Sequence, residues 1–248
     1  MTNEKAAQMQ IKSSQIVGVI LAGGLARRMG GGDKSMLKLG GRRILDYVIQ
    51  SAHSQLATVI INANGDPKRF AEFNVPIQAD IVPDFAGPLA GVVSAMAWVA
   101  QNQPQTTHII TLAADTPFFP ANYVTRMLEV MQLKGQRLAC ASYQGRTQPV
   151  FGLWPVDLFD DLFKALVEDD MRKVDRFTAP YGVADVAFDE LIHNPFFNVN
   201  TPEDIVIGQQ ILQKMGGQKR YNKWASLICL DKNTRMTDVL VTSLHWSL

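Results

Sequence analysis

The residues best suited to chemistry lie in one glycine-rich segment, residues 21–43. Six basic residues and a single acid fall between positions 27 and 43. They are Arg27, Arg28, Lys34, Lys38, Arg42 and Arg43, with Asp33 as the acid. Glycines at 23, 24 and 30–32 allow backbone N–H groups to approach an anion closely. Because a glycine-rich turn alone is common, the prediction of a bound triphosphate depends on the added arginines and lysine.

Two better-known glycine motifs do not fit this segment. A Walker A loop requires Gly-Lys-Ser/Thr, but Asp33 precedes Lys34-Ser35 and the glycine-to-lysine spacing differs. A dinucleotide fingerprint requires G-x-G-x-x-G, and Gly23-Gly24 followed by Gly30 does not supply it. The sequence therefore favours neither a P-loop kinase nor a nicotinamide dehydrogenase.

Asp115 is a second candidate for chemistry. It follows the apolar run 108–113 and precedes Thr116-Pro117. A carboxylate that follows a buried parallel strand emerges at the carboxyl edge of the sheet, where open α/β sheets bind ligands. Carboxylate oxygens at such an edge suit a phosphate-bound Mg²⁺. The alternative interpretation is that Asp115 only caps the next turn.

The overall composition confines anion binding to a local patch. The chain has 248 residues, 24 basic and 23 acidic, with a formal net charge of +1, so we expect no attraction to nucleic acid or an anionic membrane. Cys140 and Cys229 lie far apart, and the histidines lack metal-site spacing, so neither a disulfide framework nor a histidine-built metal site is expected. Without a secretory or membrane-spanning pattern, the expected location is cytoplasmic.

The elements that must position these residues alternate between strands and helices. Apolar runs predict strands at 16–22, 57–62, 108–113, 137–142 and 149–153, with a short strand near 75–79. Helical periodicity predicts helices at 42–55, 89–101, 120–134, 155–168 and 201–215. This alternation predicts an α/β fold: a mostly parallel twisted sheet with helices on both faces.

The sequence predicts one domain over residues 16–215, because no repeat or linker divides it. A disordered arm is expected before it, over residues 1–15. Thr201 is placed to cap the last helix, and Gly216-Gly217 predict its end. The tail over 216–248 mixes a basic stretch with an apolar end, and its pattern assigns it no structure.

The glycine-rich segment also carries a family resemblance. L-A-G-G-x-x-x-R-M-G-G-x-D-K, Leu21 to Lys34, resembles the signature of the MobA family of molybdenum cofactor guanylyltransferases. Three later segments agree in order and spacing: NAN at 62–64, DFAGPLAG at 84–91 after Asp80, and AADTPF at 113–118. FNVNTPED at 197–204 is the segment most specific to this family within the nucleotidyltransferases. The resemblance implies a three-layer Rossmann-like nucleotidyltransferase domain.

The resemblance implies a site for GTP and Mg²⁺. The residues that it assigns to the nucleotide are Leu21, Ala22, Gly23, Lys34, Asn62, Asp80 and Asp115. The residues that it assigns to catalysis are Arg28, Lys34 and Asp115, with Asp115 as the ligand of Mg²⁺.

Further substrate contacts are implied at Gly87, Asn198 and Asn200, although residues of these types before a helix are also common caps and turn formers. Arg172-Lys173 would face anionic groups of the acceptor, or else form a solvated helix face. This sequence departs from the family pattern at one position that bears on binding of the acceptor. The family often has histidine where this sequence has Gln148.

The activity implied by the resemblance is transfer of GMP from GTP to the terminal phosphate of molybdopterin, with release of pyrophosphate. A phosphate monoester has a second pKa of about 6 and needs no dedicated base at pH 7. The alternatives are a CTP-dependent or sugar- or isoprenoid-phosphate nucleotidyltransferase, or a non-catalytic molybdenum cofactor carrier. The resemblance implies transient contact with molybdopterin-loading proteins or apo-molybdoenzymes. We expect a monomer or weak oligomer that binds neither nucleic acid nor a membrane.

Overall fold

The computed structural model describes residues 11–23, 34–83, 87–189 and 193–230, with residues 217–230 described by their backbone alone. Contacts divide the chain into two units, Met1–Asp204 and Ile205–Leu248. Within the described ranges, every helix is too short or too polar to cross a membrane.

A seven-stranded sheet forms the centre of the first unit, and a two-stranded ribbon lies apart from it. The strands are β1 (Ile16–Leu21), β2 (Lys38–Leu39), β3 (Arg42–Arg43), β4 (Thr58–Asn62), β5 (Ile77–Gln78), β6 (His108–Ala113), β7 (Leu138–Tyr143), β8 (Arg146–Pro155) and β9 (Val183–Ala187). The order in the sheet is β5-β4-β1-β6-β8-β7-β9. Among these described strands of the sheet, only β8 runs antiparallel to its neighbours, so the predicted mostly parallel sheet is confirmed.

Helices of the first unit cover both faces of this sheet. They are α1 (Ile44–His53), α2 (Pro88–Asn102), α3 (Tyr123–Leu133), α4 (Phe159–Asp169) and α5 (Val174–Thr178). A further helix, α6 (Pro202–Leu230), begins at the end of the first unit and forms part of the second. Alternate residues of β1 point to opposite faces. Ile16 and Ile20 join the core formed with α1 and α3, whereas Val17 and Val19 join the core formed with α2, α4 and α5. The three-layer architecture expected from the apolar pattern is therefore present.

A tight hairpin joins β7 to β8. Its two turn residues, Gln144 and Gly145, have φ values of 49° and 72°. Two-residue hairpins favour left-handed backbone at both positions because the turn then matches the twist of the strands. The pairing register shifts between Cys140 and Ala141, where β8 carries extra residues. Because β8 is antiparallel to β6, its first residues lie at the carboxyl edge of the parallel strands.

Several short elements were not predicted from the sequence. The β2-β3 ribbon, α5 and β9 each span five residues or fewer. Asp185 interrupts the apolar pattern of β9, which lies at the edge of the sheet and pairs with β7. Short edge elements gain their stability from packing rather than from a long periodic pattern.

The predicted end of the last helix at Gly216-Gly217 is wrong. The backbone of α6 continues through both glycines to Leu230. A glycine in a helix interior costs about 1 kcal/mol relative to alanine, but it breaks the helix only when the flanking residues also disfavour helix. The residues that follow include glutamine, lysine, arginine and alanine, which are good helix formers.

Candidate active site

The ends of three neighbouring parallel strands, β4, β1 and β6, form the floor of the candidate site. Backbone hydrogen bonds extend beyond the strands here. The Ala22 N–H donates to the Asn62 carbonyl over 2.9 Å, and the Ala114 N–H donates to the Leu21 carbonyl over 3.1 Å. Since adjacent strands lie about 4.8 Å apart, the three strand ends span roughly 10 Å. Open parallel sheets bind ligands at this edge.

Lys34, within the glycine-rich segment, lies at this edge of the sheet. Its Nζ donates to Asn200 Oδ1 over 2.8 Å. Lys34 also lines a small cleft together with the ends of β1 and β6. The cleft is lined by Leu21, Ala22, Lys34, Ser35, Ala114 and Asp115. The fold therefore brings the predicted phosphate-binding lysine and the predicted metal-binding aspartate into one cleft.

The FNVN segment, residues 197–200, is anchored to the loop after β6. The Val199 N–H donates to the Asp115 carbonyl over 2.9 Å. The Thr116 hydroxyl donates a short hydrogen bond to Asn198 Oδ1. These contacts place Asn200 against Lys34 at the cleft, and they place the exposed Asn198 against Thr116, the residue that follows Asp115.

Burial raises the pKa of the Asp115 carboxyl above its ordinary value of 3.8. The nearby positive charge of Lys34 opposes this shift but does not cancel it. A buried carboxylate that is undercompensated in charge is stabilised by a further cation. The electrostatics of Asp115 therefore suit a residue that binds a cationic group.

Asn62 and Asp80 form a second group on the β4 side of the floor. Asn62 is buried, and its Nδ2 donates to Asp80 Oδ1 over 2.9 Å and to the Gln78 carbonyl over 3.1 Å. Asn64 Nδ2 donates to the other carboxylate oxygen, Asp80 Oδ2, over 2.7 Å. The two predicted nucleotide residues thus belong to one hydrogen-bonded cluster that also includes Asn64.

Gly91, in the first turns of α2, permits close packing against this cluster. A Cβ at this position would overlap the Asn62 carboxamide and the Leu21 side chain. The absent side chain therefore allows α2 to approach the ends of β1 and β4. Glycine is required here by contact distance rather than by backbone conformation.

We expect Gly91→Ala to weaken both the fold and the nucleotide site. Its methyl group would displace Asn62, so the free energy of unfolding should fall by about 1–3 kcal/mol. The dissociation constant for GTP should also rise. Urea unfolding and titration calorimetry measure the two effects.

Gly216→Ala is the control for this packing effect. A Cβ at Gly216 would meet no atom of the described residues within 4 Å, and helix propensity favours alanine there. The control should therefore be as stable as the parent or slightly more stable. Equal stability of Gly91→Ala and the parent would contradict the packing argument.

Gly87 is the N-cap residue of α2, and its φ of 144° is one that residues with side chains rarely adopt. A Cβ on Gly87 would lie 3.9 Å from the carbonyl oxygen of Arg172. Arg172-Lys173 is therefore beside the start of α2, and Arg172 forms an ion pair of 2.9 Å with Asp170. Gln148 lies near the start of β8, where its carbonyl accepts a hydrogen bond from Cys140 Sγ over 3.5 Å.

Arg28 lies outside the described residues, so its predicted role in catalysis stays a prediction. Gly23 is exposed two residues after the end of β1, and it is the last described residue before Lys34.

Sequence reasoning did not single out three residues that orient other residues of the site: Asn64, Thr116 and Asp204. Asp204 Oδ2 accepts from the backbone N–H groups of Asn200 and Thr201, over 2.8 and 2.9 Å. All three lie inside the motifs NAN, AADTPF and FNVNTPED. Their position in those motifs is the sequence signal by which they could have been identified.

Comparisons with known proteins agree with this geometry. A family model described as the MobA-like NTP transferase domain matches residues 18–182. A molybdenum cofactor guanylyltransferase of Bradyrhizobium sp. (strain ORS 278) is 46% identical over 199 residues, which are 80% of this chain and 94% of that protein.

Two solved structures share the fold. Molybdopterin-guanine dinucleotide biosynthesis protein A from Archaeoglobus fulgidus has a TM-score of 0.63 at 21% identity, over 80% of this chain and 99% of that chain. The 4-diphosphocytidyl-2C-methyl-D-erythritol synthase from Anaerococcus prevotii DSM 20548 has a TM-score of 0.62 at 14% identity, over 82% and 98%. The fold alone therefore does not select the substrate. The family model and the close relative do decide the family: the chain belongs to the MobA-like NTP transferases, among the molybdenum cofactor guanylyltransferases.

Proposed function

We propose that this protein transfers GMP from GTP to the terminal phosphate of molybdopterin and releases pyrophosphate. The observation that carries the proposal is the joining of Lys34, Asp115 and the FNVN segment in one cleft at the carboxyl edge of the sheet. The printed name of the 46% identical relative supports guanylyl transfer to the molybdenum cofactor.

In this proposal the nucleoside lies over the ends of β1 and β4. Leu21, Ala22 and Gly23 face it, and the buried Asn62 and the bound Asp80 supply fixed polar groups. The triphosphate then extends toward Lys34, whose ammonium group neutralises phosphate charge. Gly87, Asn198 and Asn200 complete the substrate site. Arg28 is assigned to the phosphates by the resemblance alone.

The residues at Asp115 fit Mg²⁺. The carboxylate of Asp115 and the carboxamide oxygen of Asn198 are hard oxygen ligands, and Mg²⁺ commonly uses one or two carboxylates together with substrate phosphates. No cluster of three or more acidic, histidine or cysteine residues occurs within the part of the chain that the structure describes, so phosphate oxygens would complete the coordination. Bound there, the ion would neutralise charge on the triphosphate.

The reaction requires positioning and charge neutralisation more than proton transfer. An oxygen of the acceptor phosphate forms a bond to the α-phosphorus of GTP, while the bond from that phosphorus to the bridging oxygen of pyrophosphate breaks. The acceptor oxygen is already ionised near pH 7, so no proton must be removed first. Lys34, held by Asn200, stabilises the negative charge that develops on the phosphates.

The test is incubation of the purified protein with GTP, Mg²⁺ and molybdopterin, with measurement of pyrophosphate and of the dinucleotide product. The proposal expects both products, and neither when the acceptor is omitted. Binding of GTP or pterin without pyrophosphate release would favour a non-catalytic carrier.

Base preference is tested by thermal stabilisation with GTP, CTP and UTP. A nucleotide at 100 times its dissociation constant adds roughly 2.7 kcal/mol to the stability of the folded state. We expect stabilisation by GTP at concentrations at which the pyrimidine nucleotides have little effect. Preference for CTP or UTP would instead support a cytidylyl or uridylyl transferase with the same fold.

The proposal also includes a cytoplasmic location and transient contact with molybdopterin-loading proteins or apo-molybdoenzymes, which would supply the acceptor or receive the product.

A further inference from the structure

Two hydrogen bonds join the Asn64 side chain to Asp80 in a closed ring. Asn64 Nδ2 donates to Asp80 Oδ2 over 2.7 Å, and the Asp80 backbone N–H donates to Asn64 Oδ1 over 2.8 Å. One carboxamide therefore binds both the backbone and the carboxylate of the same residue. Rotation of Asp80 about its Cα–Cβ bond would break the ring, so Asn64 fixes the side-chain rotamer of Asp80.

The second oxygen of the same carboxylate is also bound. Asn62 Nδ2 donates to Asp80 Oδ1 over 2.9 Å. An ionised carboxylate has about four acceptor positions, two on each oxygen. The two asparagines fill one on each oxygen, so with respect to the residues that the structure describes, each oxygen of Asp80 retains one position. The cluster presents two adjacent acceptors in a fixed plane.

Asn64 is itself held in place through its backbone. The Arg69 guanidinium donates to the Asn64 carbonyl, and the neighbouring Ala63 N–H donates to the Gln78 carbonyl over 3.0 Å. Gly65 follows with a φ of 88°, which turns the chain directly after Asn64. Because the Asn64 side chain is exposed, its hydrogen bonds contribute little to folding. Its geometry suits the orientation of Asp80 more than the stability of the core.

We propose that Asn64 is a positioning residue for nucleotide recognition, which holds the Asp80 carboxylate so that both of its oxygens accept a pair of adjacent donors on the nucleoside. Guanine N1–H and its 2-amino group form such a pair, and so do the 2′ and 3′ hydroxyls of ribose. Cytosine offers no such pair on its base. The inference rests on the proposed function, because it takes the nucleoside to lie over the ends of β1 and β4.

The test is titration calorimetry of GTP, inosine triphosphate and 2′-deoxy-GTP in the presence of Mg²⁺ and without molybdopterin. Inosine triphosphate lacks the 2-amino group, and 2′-deoxy-GTP lacks one hydroxyl. The variants are Asn64→Ala and Asn64→Asp, with Asn102→Ala as the control. Asn102 is an exposed asparagine at the end of α2, and its side chain donates to the Trp98 carbonyl of the same helix. Melting temperatures establish that each variant folds.

For Asn64→Ala we expect a dissociation constant for GTP that is raised about tenfold, as for the loss of one charge-assisted contact. Asn64→Asp should bind more weakly still, because two carboxylates would face each other. One of the two analogues lacks a donor that Asp80 contacts, and the parent should bind this analogue more weakly than GTP. The ratio of the two dissociation constants should be smaller in both variants, because their contact between Asp80 and the nucleoside is already impaired. With molybdopterin added, kcat at saturating GTP should remain within about twofold of the parent.

Three results would overturn the inference. One is parental affinity of Asn64→Ala for GTP. Another is an equal loss of affinity for all three nucleotides, so that the ratios of their dissociation constants stay as in the parent. This result would indicate that Asn64 has a merely structural role. The third is a parent protein that binds GTP but distinguishes neither analogue, which would leave the proposed function intact. A parent that binds no nucleotide would remove the proposed function as well.

Discussion

Replacing Lys34 with alanine is expected to lower kcat/KM by about two orders of magnitude or more. The ammonium group lies at the cleft beside Asp115 and is oriented by Asn200 over 2.8 Å. A preorganised cation that stabilises charge in the transition state contributes several kcal/mol to catalysis. Steady-state measurement of pyrophosphate release with GTP and molybdopterin gives the ratio.

Lys38→Ala is the matched control for Lys34→Ala. Lys38 belongs to the same basic segment but is exposed on β2. We expect Lys38→Ala to keep kcat/KM within a few fold of the parent, because an exposed charge at a distance is screened by solvent and salt. If both variants lost activity equally, general attraction of the basic segment for phosphate would explain the effect, and a specific role of Lys34 would be excluded.

The second large effect is expected for Asp115→Asn, which should lose activity and gain stability. Loss of the carboxylate should lower turnover by about two or more orders of magnitude, since asparagine at this position would not supply the negative charge that holds Mg²⁺. The free energy of unfolding should instead increase. Burial raises the pKa of Asp115, so the fold disfavours its ionised form at neutral pH. The neutral amide should remove that cost and raise the melting temperature of the ligand-free protein.

The gain in stability of Asp115→Asn should depend on pH. A carboxyl whose pKa is raised by folding contributes fully to stability below its ordinary value of 3.8, and this contribution is lost as the pH rises through the raised pKa. The difference in melting temperature between Asp115→Asn and the parent should therefore be large at pH 7 and narrow toward pH 4. Calorimetric scans across this range measure it. A variant that is less stable than the parent at pH 7 would show that Asp115 is a structural residue.

Much of the fold could be predicted from the sequence because long periodic segments decide it. The apolar runs of β1, β4 and β6 and the periodicity of α1, α2 and α3 each extend over several residues, and all six elements lie close to their expected positions. The antiparallel direction of β8 had no such signal. Burial on both faces gives a strand the same apolar pattern in either direction, so only the tight Gln144-Gly145 turn marks the reversal.

The site could be predicted as a set of motifs but not as a set of contacts. The resemblance assigned Lys34 and Asp115 to GTP and Asn200 to a further substrate contact, and the family match confirms that resemblance. The hydrogen bond between Lys34 and Asn200 joins segments that are far apart in the sequence, and no local pattern reports such a contact. Asn64 was overlooked for a similar reason, since its partner Asp80 belongs to another strand end.

The two-residue hairpin between β7 and β8 has an evolutionary consequence. This hairpin lies at the same edge of the sheet as the cleft, and its length fixes the pairing of Tyr143 with Arg146 and of Ser142 with Thr147. The register shift between Cys140 and Ala141 separates these pairs from the buried half of β8. An inserted residue in the turn would therefore change only the pairing before the shift and would leave the buried residues 151–155 in register. The rim on this side can accept loop insertions of the kind by which many enzymes diversify, so a redesign of substrate preference should begin by lengthening this turn.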